Sequence, residues 1–367
     1  MSGTALRLPW WADYILLPLL NLLLALLATG LVVVATGENP LEAVITMVNG
    51  AFGSGEGIGY TLYYATDMIF TGLAVAVAFH CGLFNIGAEG QAYIAGLGVA
   101  LVCLYLDFLP FWLILPLAVA GAALFGAGYA AIPGWLQAKR GSHIVITTIM
   151  TNFIAYAAME YILVNVLIKP GQMSPETRYF APNAVLPKMD AMFAAIGIEI
   201  AATPLNLAFV VALLCIVLVW LLIWHTRWGY SLRVVGASPR AAVYAGIAPA
   251  GRVIQAMLLS GALAGGVALN EVMGAQGKLL INFPSGYGFT GIAVALMGRN
   301  HPLGVLIAAI LFGALYQGGA ELTFDMPAIS PYLVVALQGL VILFTGGLAT
   351  MLRPALVRVL RVGAGAR

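Results

Sequence analysis

Charge is what this 367-residue chain has least of. Only 8% of its residues are Asp, Glu, Lys or Arg, about a third of the ~25% usual in soluble domains. With 62% hydrophobic residues, that scarcity excludes a water-soluble globular fold. The formal net charge of +2 is too small and too scattered to neutralise a phosphate backbone, which excludes nucleic-acid binding. Three cysteines, Cys81, Cys103 and Cys215, lie in apolar stretches without paired spacing. Neither a disulfide framework nor a zinc site is suggested, and buried filler is their expected role. His80, His143, His225 and His301 never stand at the i, i+4 spacing of a metal helix. No Gly-Lys-Ser/Thr loop that would cradle nucleotide phosphates is present. No nucleophile with its base can be assembled from the polar residues, so an enzyme is the least favoured reading. No cofactor is expected in this chain, and energy from ATP would have to arrive through another subunit.

What the chain does have is long apolar runs. A helix needs about 20 mostly apolar residues to cross a ~30 Å hydrocarbon core. Ten spans are read at approximately 15–36, 59–80, 89–107, 111–137, 143–167, 205–225, 253–272, 287–298, 302–320 and 331–349. The eighth is the shortest. The first exceeds the apolar core of a signal peptide and is expected to stay attached. The fold class is therefore all-α, a polytopic membrane protein whose residues 1–367 form a single transmembrane domain.

Alternate loops separate the basic residues. One side collects Arg7, Lys139, Arg140, Arg227, Arg233, Arg240, Arg252, Arg299, Arg353, Arg358, Arg361 and Arg367, while Lys169, Arg178, Lys188 and Lys278 fall on the other. By the positive-inside rule both termini are cytoplasmic, and the separation supports an even number of spans.

Three loops stand out. Asn39-Pro40-Leu41-Glu42 carries an N-cap, a proline at the first helical position and an acid three residues after the cap. It predicts a short helix on the outer membrane surface, or an ordinary connector. Residues 169–204 form the longest polar segment, contain Pro170, Pro175, Pro182, Pro187 and Pro204, and face outward as a docking ledge or a connector. Inside, residues 226–252 hold Arg227, Arg233, Arg240 and Arg252 with no acid. Within that loop the run from Gly236 to Ile247 predicts a small helix that Ser238 caps, Pro239 opens, Ala241 and Ala242 propagate and Gly246 closes. So short a helix is marginal alone. The bilayer surface and a protein partner suit it equally.

Polar groups inside the apolar runs mark the rest. Phe84-Asn85-Ile86-Gly87-Ala88-Glu89-Gly90-Gln91 puts three polar side chains and two glycines between two spans. Irregular backbone at membrane depth survives when buried in protein or lining a watery cavity, so the segment reads as a pathway wall. Asn85 is expected to cap the next helix, with Glu89 in its first turn. A tight capped turn is the plainer reading. Asp67, Thr147, Thr148, Thr151, Asn152, Glu160, Asn270, Glu271, Gln317 and Gln338 are expected to face the bundle interior. Thr148, Thr151 and Asn152 share one helical face, which suits a cavity lining, though a helix seam is the commoner use of such residues. The glycine-rich segments Gly121 to Gly128 and Gly261 to Gly266 predict close helix contacts. Thr71-Gly72-Leu73-Ala74-Val75-Ala76 resembles Thr290-Gly291-Ile292-Ala293-Val294-Ala295, a weak hint of an internal repeat.

Taken together, Gly82 to Gln91, Gly236 to Ile247 and Ser260-Gly261-Ala262-Leu263-Ala264-Gly265-Gly266 resemble the permease subunits of bacterial ABC importers for nucleosides and simple sugars. The likeness runs from about Leu16 to Gly347. It implies a type II importer-like fold in the bacterial cytoplasmic membrane, with inward transport of a nucleoside or purine-like solute by alternating access. It also implies that Gly236, Ser238, Pro239, Arg240, Ala241, Ala242 and Gly246 form a coupling helix seated on an ATPase, which would carry the ATP and Mg. A second permease chain, homologous or identical, and an external substrate-binding protein complete the implied assembly. Asn85, Glu89, Gln91, Asp67, Thr148, Thr151 and Asn152 are the candidate pathway residues. Asp67 and His80 depart from the family pattern, where proline and arginine are common. A sugar or vitamin importer, and an ion-coupled secondary transporter using Asp67, Glu89 or Glu160, are the rival readings.

Overall fold

The computed structural model describes residues 16–169 and 171–344, together with Pro9 and Ala12. Among them strand-like pairing is limited to two isolated bridges, Glu176 with Leu280 and Lys188 with Asn206. Helices do the rest: α1 Leu17–Ala35, α2 Pro40–Phe52, α3 Gly55–His80, α4 Ala88–Tyr105, α5 Phe111–Trp135, α6 Ile144–Ile162, α7 Met189–Ala194, α8 Ala208–His225, α9 Arg227–Ala237, α10 Pro239–Tyr244, α11 Pro249–Ala264, α12 Gly266–Ala268, α13 Tyr287–Met297, α14 Pro302–Asp325 and α15 Pro331–Ile342. Helix α5 closes in a π-helical turn, Leu136–Arg140, α6 in another, Leu163–Leu167, and α12 runs on into a longer π-helical stretch, Leu269–Gln276.

Two compact units are present. In the larger, Ser54–Ala314, α3 is the central post and is buried along nearly its whole length. It packs against α8, α11 and α13, while α4, α5 and α11 lie against one another. Glycine sets the closeness of these crossings, as the sequence predicts. Gly98 meets the backbone of Gly121, Gly126 meets that of Gly261, and Gly265 meets that of Ala122. A side chain at any of these positions would drive into a neighbouring main chain. The two look-alike segments also meet, Gly291 against Thr71 and Gly72 against Val294. In the smaller unit, α1, α2, α15 and the later part of α14 enclose Val33, Ala43, Leu322, Met326, Ile329, Val334 and Leu337.

The span count is corrected by helix length. Among the described residues seven helices are long and apolar enough to cross a membrane: 55–80, 88–105, 111–140, 144–167, 208–225, 249–276 and 302–325. An eighth exists if 23–35 and 40–52, bent by 116° at their junction, are one broken span. The span expected at 287–298 appears as a short apolar helix instead, and the one expected at 331–349 is an apolar helix over its described part, 331–341. With 11 residues, α13 rises only about 16 Å, half of the hydrocarbon thickness. The chain ahead of it, Asn282 to Gly286, turns through positive φ at Asn282, Ser285 and Gly286, so the apolar run does not continue as helix. The end of the tenth span, beyond residue 344, and both termini lie outside the described residues.

Local signals read from the sequence correspond to structure. The Asn39 side chain accepts from the Leu41 N–H at the start of α2. Within the expected loop, residues 171–204 are a folded strap on the larger unit. Their backbone pairs with residues 273–280 through Thr177 to Leu279, Phe180 to Gly277 and Leu186 to Met273. Asn183 donates to the carbonyls of Asp107 and Leu109 at 2.7 Å. Arg178 pairs with Asp107 and Lys278 with Glu176, both at 2.8 Å. The Glu176 carboxylate holds the Lys278 ammonium pKa above its ordinary value. Cys81 and Cys103 are buried, Cys215 is partly so, and all three are free.

Candidate functional site

The segment after α3 is built around Asn85. Its carbonyl oxygen accepts from the Gly87 N–H at 2.9 Å, an Asx turn, and its amide donates to Gln91 and to Ser260 at 3.0 and 2.9 Å. Ser260 in turn donates to the Ala74 carbonyl at 2.6 Å. The expected cap assignment is therefore corrected. Gly87 occupies the N-cap of α4, and Asn85 shapes the turn that delivers it. Asn152 fastens the same segment from α6, donating to the Ile86 carbonyl and accepting from the Gly90 N–H, each at 3.0 Å. Thr148 and Thr151 lie buried beside it, but their hydroxyls donate back to their own helix at Ile144 and Thr148. The shared face read from spacing is real and forms a seam between α6 and the segment 85–90.

Glu89 joins two helix beginnings. It stands in the first turn of α4, fully buried, and its carboxylate accepts from the N–H groups of Gly286 and Gly288 at 2.8 and 2.7 Å. These are the N-cap and second residue of α13. Tyr156 donates a third, longer bond of 3.3 Å. A carboxylate so placed meets the positive ends of two helix dipoles and satisfies amides that α13 cannot bond internally. Gly288 has to be glycine, because a Cβ there would meet the backbone of Glu89.

Asp67 is not part of that assembly. It lies midway along α3, fully buried, and its Oδ2 accepts from the Asn270 amide at 2.9 Å. Around it stand Asn206, donating to Asn270 Oδ1 at 3.0 Å, and Tyr63, donating to Glu271 Oε1 at 2.5 Å. The sequence thus divides its candidates between two places. Asn85, Glu89, Gln91, Thr148, Thr151 and Asn152 come together, and Asp67 joins Tyr63, Asn206, Asn270 and Glu271. Tyr63 and Asn206 are the members that the sequence does not single out, and for Tyr63 a signal exists: its place one turn before Asp67. Glu160, expected inside, is exposed near the end of α6.

The basic loop 226–252 folds as two helices. Ser238 caps α10 by accepting from the Ala241 N–H, Pro239 opens it, and Gly246 closes it at φ 73°. Gly236 belongs instead to the end of α9, where it packs on the backbone of residues 80–82. Ala242 is turned inward, whereas Arg240, Ala241, Val243 and Tyr244 are exposed, Tyr244 to 94%.

A family model described as branched-chain amino acid transport system / permease component matches residues 57–346. A glucose ABC transporter permease protein, TsgB13 of Haloferax volcanii, is 34% identical over 92% of this chain and 88% of its own length. The guanosine ABC transporter permease protein NupP of Bacillus subtilis is 35% identical over 85% of this chain and 88% of its own. The nucleoside ABC transporter permease protein NupB of Lactococcus lactis subsp. cremoris is 33% identical, covering 90% of each chain. No solved structure matches. The ion-coupled rival has no counterpart among these relatives. A helical integral membrane chain with apolar spans, a buried polar interior and this likeness along its length belongs to the branched-chain amino acid transport system / permease component family, as a permease subunit of an ABC transporter.

Proposed function

We propose that this chain forms half of the solute path of an importer in the cytoplasmic membrane, with its termini on the cytoplasmic side, and admits a nucleoside or purine-like solute. It has no phosphate-cradling loop, so the work comes from a separate ATPase carrying ATP and Mg. The observation that carries this reading is the exposed knuckle Ser238 to Gly246: basic at Arg240, apolar at Val243, and tipped by a tyrosine with almost all of its surface bare. Aromatic residues beside arginine are the side chains that anchor protein interfaces. The inward-facing Ala242 fixes the knuckle to the bundle, so a push on α10 is relayed to α9 and α11. Alternating access then follows when the ATPase pair closes. A second permease chain supplies the other half of the path, and an external binding protein delivers the solute to the side where residues 169–204 lie.

Asn85, Gln91, Glu89, Thr148, Thr151 and Asn152 hold the segment that borders this path, and Asp67 flanks it from α3. The nucleoside class is supported by two of the three named relatives. A simple sugar is the second reading, supported by the third. The test is uptake into vesicles holding the whole assembly, with radiolabelled guanosine and glucose in parallel. Tyr244→Ala is expected to lower uptake about tenfold, on the order of 1.4 kcal/mol of docking free energy, while leaving the thermal stability of the chain unchanged. Ser238→Ala removes a helix cap, about 1 kcal/mol, and is expected to have a smaller effect in the same direction. Undiminished solute-stimulated ATP hydrolysis in Tyr244→Ala would remove the coupling role, and glucose uptake without guanosine uptake would reassign the solute.

A further inference from the structure

The cluster around Asp67 has more acceptors than donors. Asp67 and Asn270 are fully buried, Asn206 likewise, and Glu271 is 5% exposed. Each donor there is already spent. Asn270 Nδ2 reaches Asp67 Oδ2 at 2.9 Å and the Tyr63 carbonyl at 3.3 Å. Asn206 Nδ2 reaches Asn270 Oδ1 and the Pro204 carbonyl, each at 3.0 Å, and the Tyr63 hydroxyl is given to Glu271. No donor reaches Asp67 Oδ1, although it is buried. The second carboxyl of the cluster is Glu271, next in the chain to Asn270 and bonded to Tyr63, one turn before Asp67 on α3.

Among the described residues no cation is paired with either acid. The ion pairs among the described residues are Arg178 with Asp107 and Lys278 with Glu176, both elsewhere. Among the described residues the ionisable side chain that bonds either acid is Tyr63, through its hydroxyl on Glu271. Two ionised carboxylates side by side, away from water and without a counter-ion, repel each other and forfeit their hydration. A single proton between them removes the repulsion and neutralises one of the two charges, leaving the other carboxylate to accept hydrogen bonds from its neighbours. It turns one acid into a donor and gives Asp67 Oδ1 the partner it lacks. The backbone is adapted to the arrangement: Asn270 and Glu271 open the π-helical stretch Leu269–Gln276, a distortion that is common where a helix serves a functional site.

We propose that Asp67 and Glu271 are a proton-binding site, holding one proton between two carboxyl groups, and that this bond fastens α3 to the π-helical stretch after α12. The site is independent of which solute is carried. Parting α3 from residues 269–276 breaks the shared bond and leaves each acid in need of a new donor.

Infrared spectroscopy of the full chain in lipid nanodiscs, at neutral pH, reads the proton directly. The wild type is expected to show the C=O stretch of a protonated, hydrogen-bonded carboxylic acid. Asp67→Asn and Glu271→Gln each keep one acid and replace the shared proton by an amide N–H, so each alone is expected to abolish that band. The double variant is expected to remove no further intensity. Half the intensity lost in each single variant would mean two separate neutral acids and overturn the proposal. Intensity unchanged in both would do the same, because the pair would then be fully ionised. A wild-type unfolding temperature that rises with sodium or potassium chloride but not with choline chloride would assign a metal cation in place of the proton. Should Asp67→Asn fail to fold, the wild type and Glu271→Gln decide the matter by the same band.

Discussion

Glu89 and Asp67 are both buried acids in apolar surroundings, and they are held in opposite ways. Glu89 is met by two main-chain N–H groups and a phenol. Asp67 is met by one amide on one oxygen, and its other oxygen meets no donor. The first is a carboxylate with its charge distributed over two helix beginnings. The second lacks such compensation and calls for a proton. A buried acid in a membrane chain is thus defined by what donates to it, and its depth along the span says little.

The sharpest way to break this contrast is Glu89→Ala. It strands the Gly286 and Gly288 amides, each worth ~1–3 kcal/mol when buried unsatisfied, and is expected to destabilise the chain by about 2–6 kcal/mol in thermal unfolding. Glu89→Gln comes next. Its amide offers a single acceptor oxygen to two N–H groups, so a loss of about 1–3 kcal/mol is expected, and α13 should exchange its first amide hydrogens faster. Asn152→Ala tests the neighbouring seam, since it leaves the Gly90 N–H and the Ile86 carbonyl without their partner. Gly90 is buried but Ile86 is half-buried, so its carbonyl can find another partner and a loss of about 1–3 kcal/mol is expected, with faster exchange confined to residues 85–90. The smallest effect belongs to Asp67→Asn, expected within about 0.5 kcal/mol of wild type, because the amide supplies the donor that the proton supplied. If Asp67→Asn costs as much as Glu89→Gln, the two acids are held alike and the contrast fails.

Local chemistry was the most legible part of the sequence. Asn39-Pro40 and Ser238-Pro239 announced α2 and α10 because a cap and a first-turn proline act within a few residues. The glycine-rich runs announced the close crossings of α4, α5 and α11. The span count failed at 287–298, where apolarity persists while the backbone reverses at Asn282, Ser285 and Gly286. Hydropathy measures solvent preference and is blind to that turn. Asn85 was read as a cap because Asn ahead of a helix usually is one, yet its side chain bonds two residues on and moves the cap to Gly87. The partners of Glu89 and Asp67 lie about two hundred positions away in sequence. No periodicity records such pairings, so the sequence marked the acids as unusual without naming their roles.

The bare main-chain crossings at Gly98 with Gly121, Gly126 with Gly261 and Gly265 with Ala122 carry a mechanical implication. Where backbones touch with no side chains between them, no rotamer can slide and no gap can absorb shear. Helices α4, α5 and α11 therefore behave as a plank. A displacement of one of them is expected to carry the other two, which leaves bending to the hydrogen-bonded joints at the plank's edges.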